Sequence, residues 1–447
     1  MAKKSIIPAA MAALLLAAAC HHTPAPTEAT FTDADADAAL DYCDAQVHRA
    51  LSQMDEAAAL EDDDDTYTIC LPRNIEGTDT AWAMRPAVAT EWCSGFWPGI
   101  LWLDYAARGD QAVASAAMAS TLALQDILDA PVLDHDLGFL FYCSAGTGLR
   151  VLEDEMQRAD LTPQERTADS LTADAFRTLL LRAADSLATL YRPQVGTILS
   201  WPRNVAMFGG HNTIMDNMIN LELLYWAAKN GGRPELADIA TRHAETTMQN
   251  HFRPDGTSYH VAVYDTIDGH FLRGVTHQGL ADSSTWARGQ AWAVYGFAMV
   301  ARETGQQRFL EQAQRAADAF LERLPGDYVP YWDFSDPRIA TSPEHPAPVG
   351  DTVAPRDASA AAVVAAGLLI MTELIEDRDR ADAYRDAAAH ILASLSTDHY
   401  QSRQRNSAFL LHSTGNHPKG SEIDASIIYA DYYYIEALLR YKATPKN

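Results

Sequence analysis

From about residue 40 to the end, apolar positions recur at helical spacing, and turn-forming residues separate the segments. The spacing predicts helices near 99–108, 112–129, 173–192, 215–229, 234–250, 287–303, 306–323, 357–375, 381–396 and 429–441. Many come in pairs. The first member is apolar almost all round, as in Asn217 to Ala227, and the second is amphipathic and rich in charge, as in Pro234 to Met248. An apolar helix followed by an amphipathic one implies two concentric rings, the inner buried and the outer wet on one face. That architecture is an all-α toroid of helical hairpins. An open solenoid would keep a tighter period and more self-similarity. Alternation over Ser258 to Tyr264 predicts a short β piece in a loop. No linker interrupts 39–447, so this stretch reads as one domain.

The chain begins differently. Lys3 and Lys4 precede an apolar run from Ile6 to Ala19 that is too short to span a bilayer. It ends in Leu16-Ala17-Ala18-Ala19-Cys20, which resembles a bacterial lipobox with Cys20 as the lipidated residue. Residues 1–20 are therefore expected to be a lipoprotein signal peptide, with plain signal-peptidase cleavage as the alternative. Residues 21–38, rich in Pro, Thr, Ala and Asp, read as a flexible tether. The expected location is that of an exported bacterial lipoprotein, in the periplasm or at the outer membrane. Contact with a membrane is then through the lipid anchor alone.

Composition removes several function classes. A formal charge of −26 over 447 residues leaves no basic face for nucleic acid. There is no phosphate-binding glycine loop, no GxGxxG, no HExxH and no GxSxG. The run Glu61 to Asp65 lacks the alternation and glycine of a calcium loop and reads as a solvated loop. Cys43, Cys70, Cys93 and Cys143 match no zinc spacing, and either disulfides or buried free thiols fit them.

What remains is a set of aromatic, acidic and histidine residues at the starts of the apolar helices. Trp92 to Gly99 opens one, His135-Asp136-Leu137-Gly138-Phe139 another, Asp216-Asn217 a third and Trp286 to Trp292 a fourth. In a ring of hairpins these starts meet at one mouth. Aromatic faces there would stack on a sugar ring, and carboxylates would handle hydroxyls and protons. Each residue also has a plainer reading. An Asp at a helix start commonly caps it, and Trp292 taken alone fits a core. Arg288, inside an apolar helix, needs an anionic partner, which is either a structural Asp or a substrate carboxylate.

These segments, together with Ser258-Tyr-His, Thr276-His-Gln-Gly, Ser284-Thr-Trp-Ala-Arg-Gly-Gln-Ala-Trp, Tyr331-Trp-Asp-Phe, Arg356-Asp-Ala-Ser-Ala and Asp431-Tyr-Tyr-Tyr-Ile-Glu-Ala-Leu-Leu-Arg, resemble the unsaturated glucuronyl hydrolases of glycoside hydrolase family 88. The match runs in order from about residue 85 to 441. It implies an (α/α)6 barrel and an enzyme that hydrates the C4=C5 double bond of a terminal unsaturated uronic acid, the end left by polysaccharide lyases. The hemiketal so formed opens and releases the next sugar. By the resemblance Asp216 is the general acid and base and Asp136 its partner. His260, His277, Gln278, Arg288 and Trp292 hold the uronate, with His135 near its ring and Trp92 and Trp201 as stacking surfaces. In the late loop Lys419 and Ser421 are placed to contact a sulfate on the next sugar. No metal or organic cofactor is implied, because water is the only co-substrate. An unsaturated rhamnogalacturonyl hydrolase and a non-catalytic sugar-binding surface lipoprotein are the alternatives. The polymer and the oligomeric state stay open.

Overall fold

The computed structural model describes residues 31–58, 69–158, 161–339 and 353–444. The signal peptide, Cys20, most of the expected tether and the Glu61–Asp65 run lie outside these residues. The helices are α1 (Asp33–Ala58), α2 (Phe96–Arg108), α3 (Gln111–Leu122), α4 (Thr147–Met156), α5 (Pro163–Ala188), the single turn α6 (Val205–Phe208), α7 (Asn217–Lys229), α8 (Glu235–Asn250), α9 (Ala287–Thr304), α10 (Gln307–Leu321), α11 (Ala358–Thr372), α12 (Arg378–Leu395) and α13 (Ile428–Ala443). A π-helical stretch, Gly138–Gly146, runs directly into α4.

The expected double ring is present. The π-helical stretch with α4 and helices α2, α7, α9, α11 and α13 form a closed inner circle, each packed on the next. Helices α3, α5, α8, α10 and α12 return on the outside of α2, α4, α7, α9 and α11, and α1 packs on α13 as the outer member of the sixth hairpin. Inner helices are apolar all round for this reason: α9 is buried without a break from Ala287 to Ala301, and α11 from Ala358 to Met371. Outer helices bury one stripe, as α10 does through Phe309, Leu310, Ala313, Ala316, Ala317 and Phe320.

The tether expectation needs correction at its end. Residues 33–38 are helical and belong to α1, whose stripe of Ala36, Ala39, Leu40, Cys43, Val47 and Ala50 is buried in the main core. The Asp-Ala alternation reads as low complexity, yet every third or fourth residue falls on one helical face. The segment expected at 173–192 starts earlier, at Pro163, behind a Thr162/Glu165 capping box.

Among the described residues, eight short strands lie in the connections between helices. Strands β1 (Cys70–Ile75), β2 (Ala83–Pro86) and β8 (Ser426–Ile427) form one antiparallel sheet, and β3 (Tyr191–Arg192) pairs with β4 (Thr197–Ile198). Strands β5 (His211–Ile214), β6 (Val261–Tyr264) and β7 (Phe271–Val275) form the third. Strand β6 lies within the β piece expected over 258–264. No two of the four described cysteines are bridged; Cys43, Cys93 and Cys143 are buried thiols and Cys70 is exposed. Among the described residues, no helix is long and apolar enough to cross a membrane.

Candidate active site

The inner helices all begin on one side of the ring, and the sheet β5–β6–β7 delivers two chains there in fixed register. Ile214 lies opposite Val261, and the N–H of Met215 donates to the carbonyl of His260 (3.0 Å). Asp216, the next residue, therefore faces His260. The Ser200 hydroxyl pins the same junction, donating to Asn217 Oδ1 (2.7 Å) and accepting from the Ile214 N–H (2.9 Å).

Asp216 stands at the N-cap position of α7 but does not cap it: its side chain makes no capping hydrogen bond. Its Oδ2 is buried without a hydrogen-bond partner, 3.7 Å from His260 Nε2. Burial lifts the carboxyl to about 7, against the Arg288 charge, its own backbone N–H and the Trp292 indole, which all pull it down. Burial thus outweighs the helix N-terminus. Asp136 lies before the π-helical stretch, with Oδ1 3.3 Å from His135 Nε2. Burial, then the nearby Asp134 and Asp216 carboxylates, push Asp136 well above the carboxylate range.

Both histidines are neutral, and their surroundings fix the tautomer. His260 Nδ1 accepts from the backbone N–H groups of His277 (3.1 Å) and Gln278 (3.2 Å), so its proton sits on Nε2, towards Asp216. Asn220 performs the same task for His135. Its Oδ1 accepts from the Phe139 N–H (2.9 Å), which turns its amide N–H to His135 Nδ1 (3.4 Å). Desolvation lowers His135 to about 3 and His260 well below its ordinary value. Gly138 lies against Asn220 so closely that a Cβ would stand 2.5 Å from the Asn220 Cα, so only glycine fits there.

Joined to this cluster by the Trp201 ring lies a cleft of about 420 Å³, bordered by Trp92, Trp201, His277, Gln278, Arg288, Lys419 and Ser421 from the predicted set; Asp136, Asp216, His135 and His260 lie behind its lining. The Trp201 ring is its pivot, with ring centroids 5.2 Å from His277 and 6.2 Å from both His135 and His260. Trp92 is half-buried, stacked on Tyr429 at 5.1 Å. Another cavity, about 440 Å³, lies between α1 and α12 and holds none of the predicted residues.

Two predicted roles change. Trp292 is wholly buried, wedged between Phe139 (5.3 Å) and Tyr433 (5.4 Å), and offers no face to a ligand. Its indole N–H lacks a hydrogen bond of its own and bears on Asp216 instead. Of the two partners open to Arg288, the structure supplies the protein one. Nη1 donates to Asp357 Oδ2 (3.0 Å) and to the Thr414 carbonyl, and Nη2 to the Gly415 carbonyl (2.6 Å). The guanidinium is also flanked by the rings of Trp286 and Tyr429. Arg288 thus ties the start of α11 to the loop that carries Lys419, while still bordering the cleft.

Several residues at the site were not predicted. Asn217 and Asn220 were readable as polar residues on an apolar helix. Arg73 joins Glu422 (2.7 Å) and Glu91 (2.9 Å) across the cleft wall, 349 positions separating the first pair, and no local pattern announces it.

No protein-family profile matches the chain. It is 39% identical over 354 residues to an unsaturated glucuronyl hydrolase of Formosa agariphila, covering 78% of this chain and 80% of that protein. It is 37% identical over 356 residues to an unsaturated glucuronyl hydrolase of Bacillus sp. strain GL1, covering 78% and 86%. The chain belongs to the unsaturated glucuronyl hydrolase family. A solved unsaturated glucuronyl hydrolase specific for heparin superposes with a TM-score of 0.75 at 36% identity, covering 92% of this chain and 98% of that one. A solved UGL variant with dGlcA-Glc-Rha-Glc gives 0.70 at 34% identity over 83% and 90%, and the unsaturated glucuronyl hydrolase from Bacillus sp. GL1 gives 0.68 at 34% identity over 83% and 90%. The hairpin ring is therefore the family's α/α barrel, and the protein is a glycoside hydrolase of unsaturated uronates.

Proposed function

We propose that this hydrolase removes the unsaturated uronate from lyase-generated oligosaccharides of glycosaminoglycan type by hydrating its C4=C5 bond, with Asp216 moving the protons. The Asp216 carboxyl is the observation that carries the assignment: uncapped, buried, one oxygen unpartnered and its pKa near 7. Such a group both gives and takes a proton near neutral pH. In its protonated form it delivers a proton to C4. As the carboxylate it then takes one from the water that bonds to C5. The C5 hemiketal opens, and the hemiacetal left at C1 expels the leaving sugar.

Asp136, pushed well above the carboxylate range by burial and by the Asp134 and Asp216 carboxylates, keeps its proton and donates it as a hydrogen bond to the substrate. A neutral His260 places its N–H against Asp216 without adding a charge that would drive the proton off. His277, Gln278 and the N–H groups of Arg288 not used by Asp357 and the two carbonyls hold the uronate carboxylate. Trp201 and Trp92 supply apolar faces to the sugars. Lys419 and Ser421, on the turn after Asn416, meet the next sugar and any sulfate it carries. A glycosaminoglycan-type substrate is in keeping with a relative from Streptococcus pyogenes serotype M1, 32% identical over 358 residues, which is an unsaturated chondroitin disaccharide hydrolase.

The test is a panel of unsaturated disaccharides made by lyases from chondroitin, hyaluronan, heparin, ulvan and rhamnogalacturonan. Turnover of a uronyl member with release of the partner sugar supports the proposal and ranks the polymers. Turnover of the rhamnogalacturonan product alone would replace it. The location proposed for the enzyme, outside the cytoplasm on a lipid at Cys20, is supported by the leader sequence.

A further inference from the structure

Four cationic side chains border the cleft, and three already have partners or a role. Arg288 is saturated on its Nη1 and shielded by two rings. Arg73 gives Nε and Nη2 to Glu422 and Nη1 to Glu91. Lys419 belongs to the loop already assigned to the next sugar. Arg203 remains. It lies in the turn Pro202–Asn204 immediately after Trp201, on the wall that also carries Met207.

Its geometry is that of an anchored but unsaturated cation. The side chain is 49% exposed, and only Nη1 is engaged, by Asp134 Oδ2, the Asp134 side chain being 5% exposed. The second Asp134 oxygen is buried and unpartnered, so the carboxylate has no competing donor and fixes the guanidinium in place. Among the described residues Nε and Nη2 meet no protein acceptor, and the residue borders the cleft. Arg203 follows Trp201 directly in the chain, whereas Lys419 comes from the turn His417–Lys419, so the two cations reach the cleft from separate segments. A planar fork with free N–H groups suits a sulfate or a carboxylate.

We propose that Arg203 is a specificity-determining residue of this enzyme, taking an anionic substituent of the bound oligosaccharide, a sulfate ester or a carboxylate, at the cleft wall beside Trp201. The proposal rests on the cleft being the site of an unsaturated uronate glycoside. Asp134 is its positioning residue, and its nearness to Asp136 gives a second readout. With Arg203 gone, the bare Asp134 carboxylate holds the Asp136 proton more tightly.

The experiment measures dissociation constants of unsaturated saccharides on the Asp216→Asn background, with and without Arg203→Gln. Three probes are used: a disaccharide with an unsulfated amino sugar, its sulfated counterparts, and a tetrasaccharide whose further uronate adds a carboxylate. Binding stays readable there even if the proposed reaction fails, so the two failures are distinguishable. Arg203→Gln should weaken one anionic class by about fivefold, the scale of a half-exposed charge pair, and the unsulfated disaccharide by less than about twofold. The loss should shrink in ~0.5 M salt, and Arg203→Lys should recover part of it. The sulfated and tetrasaccharide arms identify which anion is read. Adding Asp134→Asn to Arg203→Gln removes the bare carboxylate and should leave the discrimination loss intact. Equal weakening of all three probes, or of none, overturns the proposal.

Discussion

Removing Arg288 separates a protein-held cation from one reserved for substrate. Asp357 is fully buried; its Oδ1 accepts from Ser359 Oγ (2.5 Å) and the Ser359 N–H (3.1 Å), and its Oδ2 depends on Arg288. Arg288→Gln takes the guanidinium from that oxygen and from the Thr414 carbonyl, while the Gly415 carbonyl keeps the Gln278 amide (3.3 Å). Breaking one partner of such a buried pair costs about 3–5 kcal/mol. Unfolding entropy of ~2.1 cal/mol/K per residue over roughly 400 residues converts this to a fall in Tm of roughly 4–6 °C. The double variant Arg288→Gln/Asp357→Asn should regain more than half of it, because the two losses are coupled. Loss of the Arg288 charge should also raise the Asp216 pKa, moving the alkaline limb of the pH–rate profile upward. Thermal unfolding followed by circular dichroism, with kcat/KM against pH, reads both effects. A raised KM with Tm unchanged to within about 1 °C would refute the reasoning and return Arg288 to the substrate alone.

Activity should fall as pH rises through about 7, since the proton-donating form of Asp216 is the protonated one; a kcat/KM that keeps climbing to pH 9 would contradict this. Asp104, on α2, is fully buried with both carboxyl oxygens unpartnered and is raised to about 7 by burial and by Asp44. Its folded pKa exceeds its unfolded one, so its stabilisation is complete below pH ~4 and is lost as pH rises to 7. Asp104→Asn should therefore be more stable than the parent at pH 8, by up to ~4 kcal/mol, and similar to it at pH 4; equal unfolding curves at pH 8 would refute it. Cys20→Ser should abolish incorporation of labelled fatty acid in a bacterial host, and label retained on the variant would remove the anchor.

The barrel was legible because its inner and outer helices differ in how many sides they bury, a contrast that periodicity reports directly. The π-helical stretch and α4 were not, since Gly138, Gly146 and Gly148 break the pattern where the chain packs against Asn220, Tyr142 and Trp102. The candidate acids were legible as Asp residues at helix starts, but their state was not. Whether Asp216 caps α7 depends on the register of β5 against β6, and the tautomer of His260 on two backbone N–H groups seventeen and eighteen residues away. Trp292 was placed against the uronate by the family resemblance, whereas its place inside an apolar helix already fitted the core position it takes. The partner of Arg288, 69 positions distant, comes only from ring closure.

The central claim is that Asp216 moves the protons of double-bond hydration. The most direct test follows the ultraviolet absorbance of the conjugated C4=C5 bond in an unsaturated uronyl disaccharide, with the parent enzyme and with Asp216→Asn. The account predicts that absorbance decays with the parent and stays constant with the variant, which still binds the disaccharide and unfolds no more readily than the parent at pH 7. Decay at a comparable rate with Asp216→Asn would contradict it.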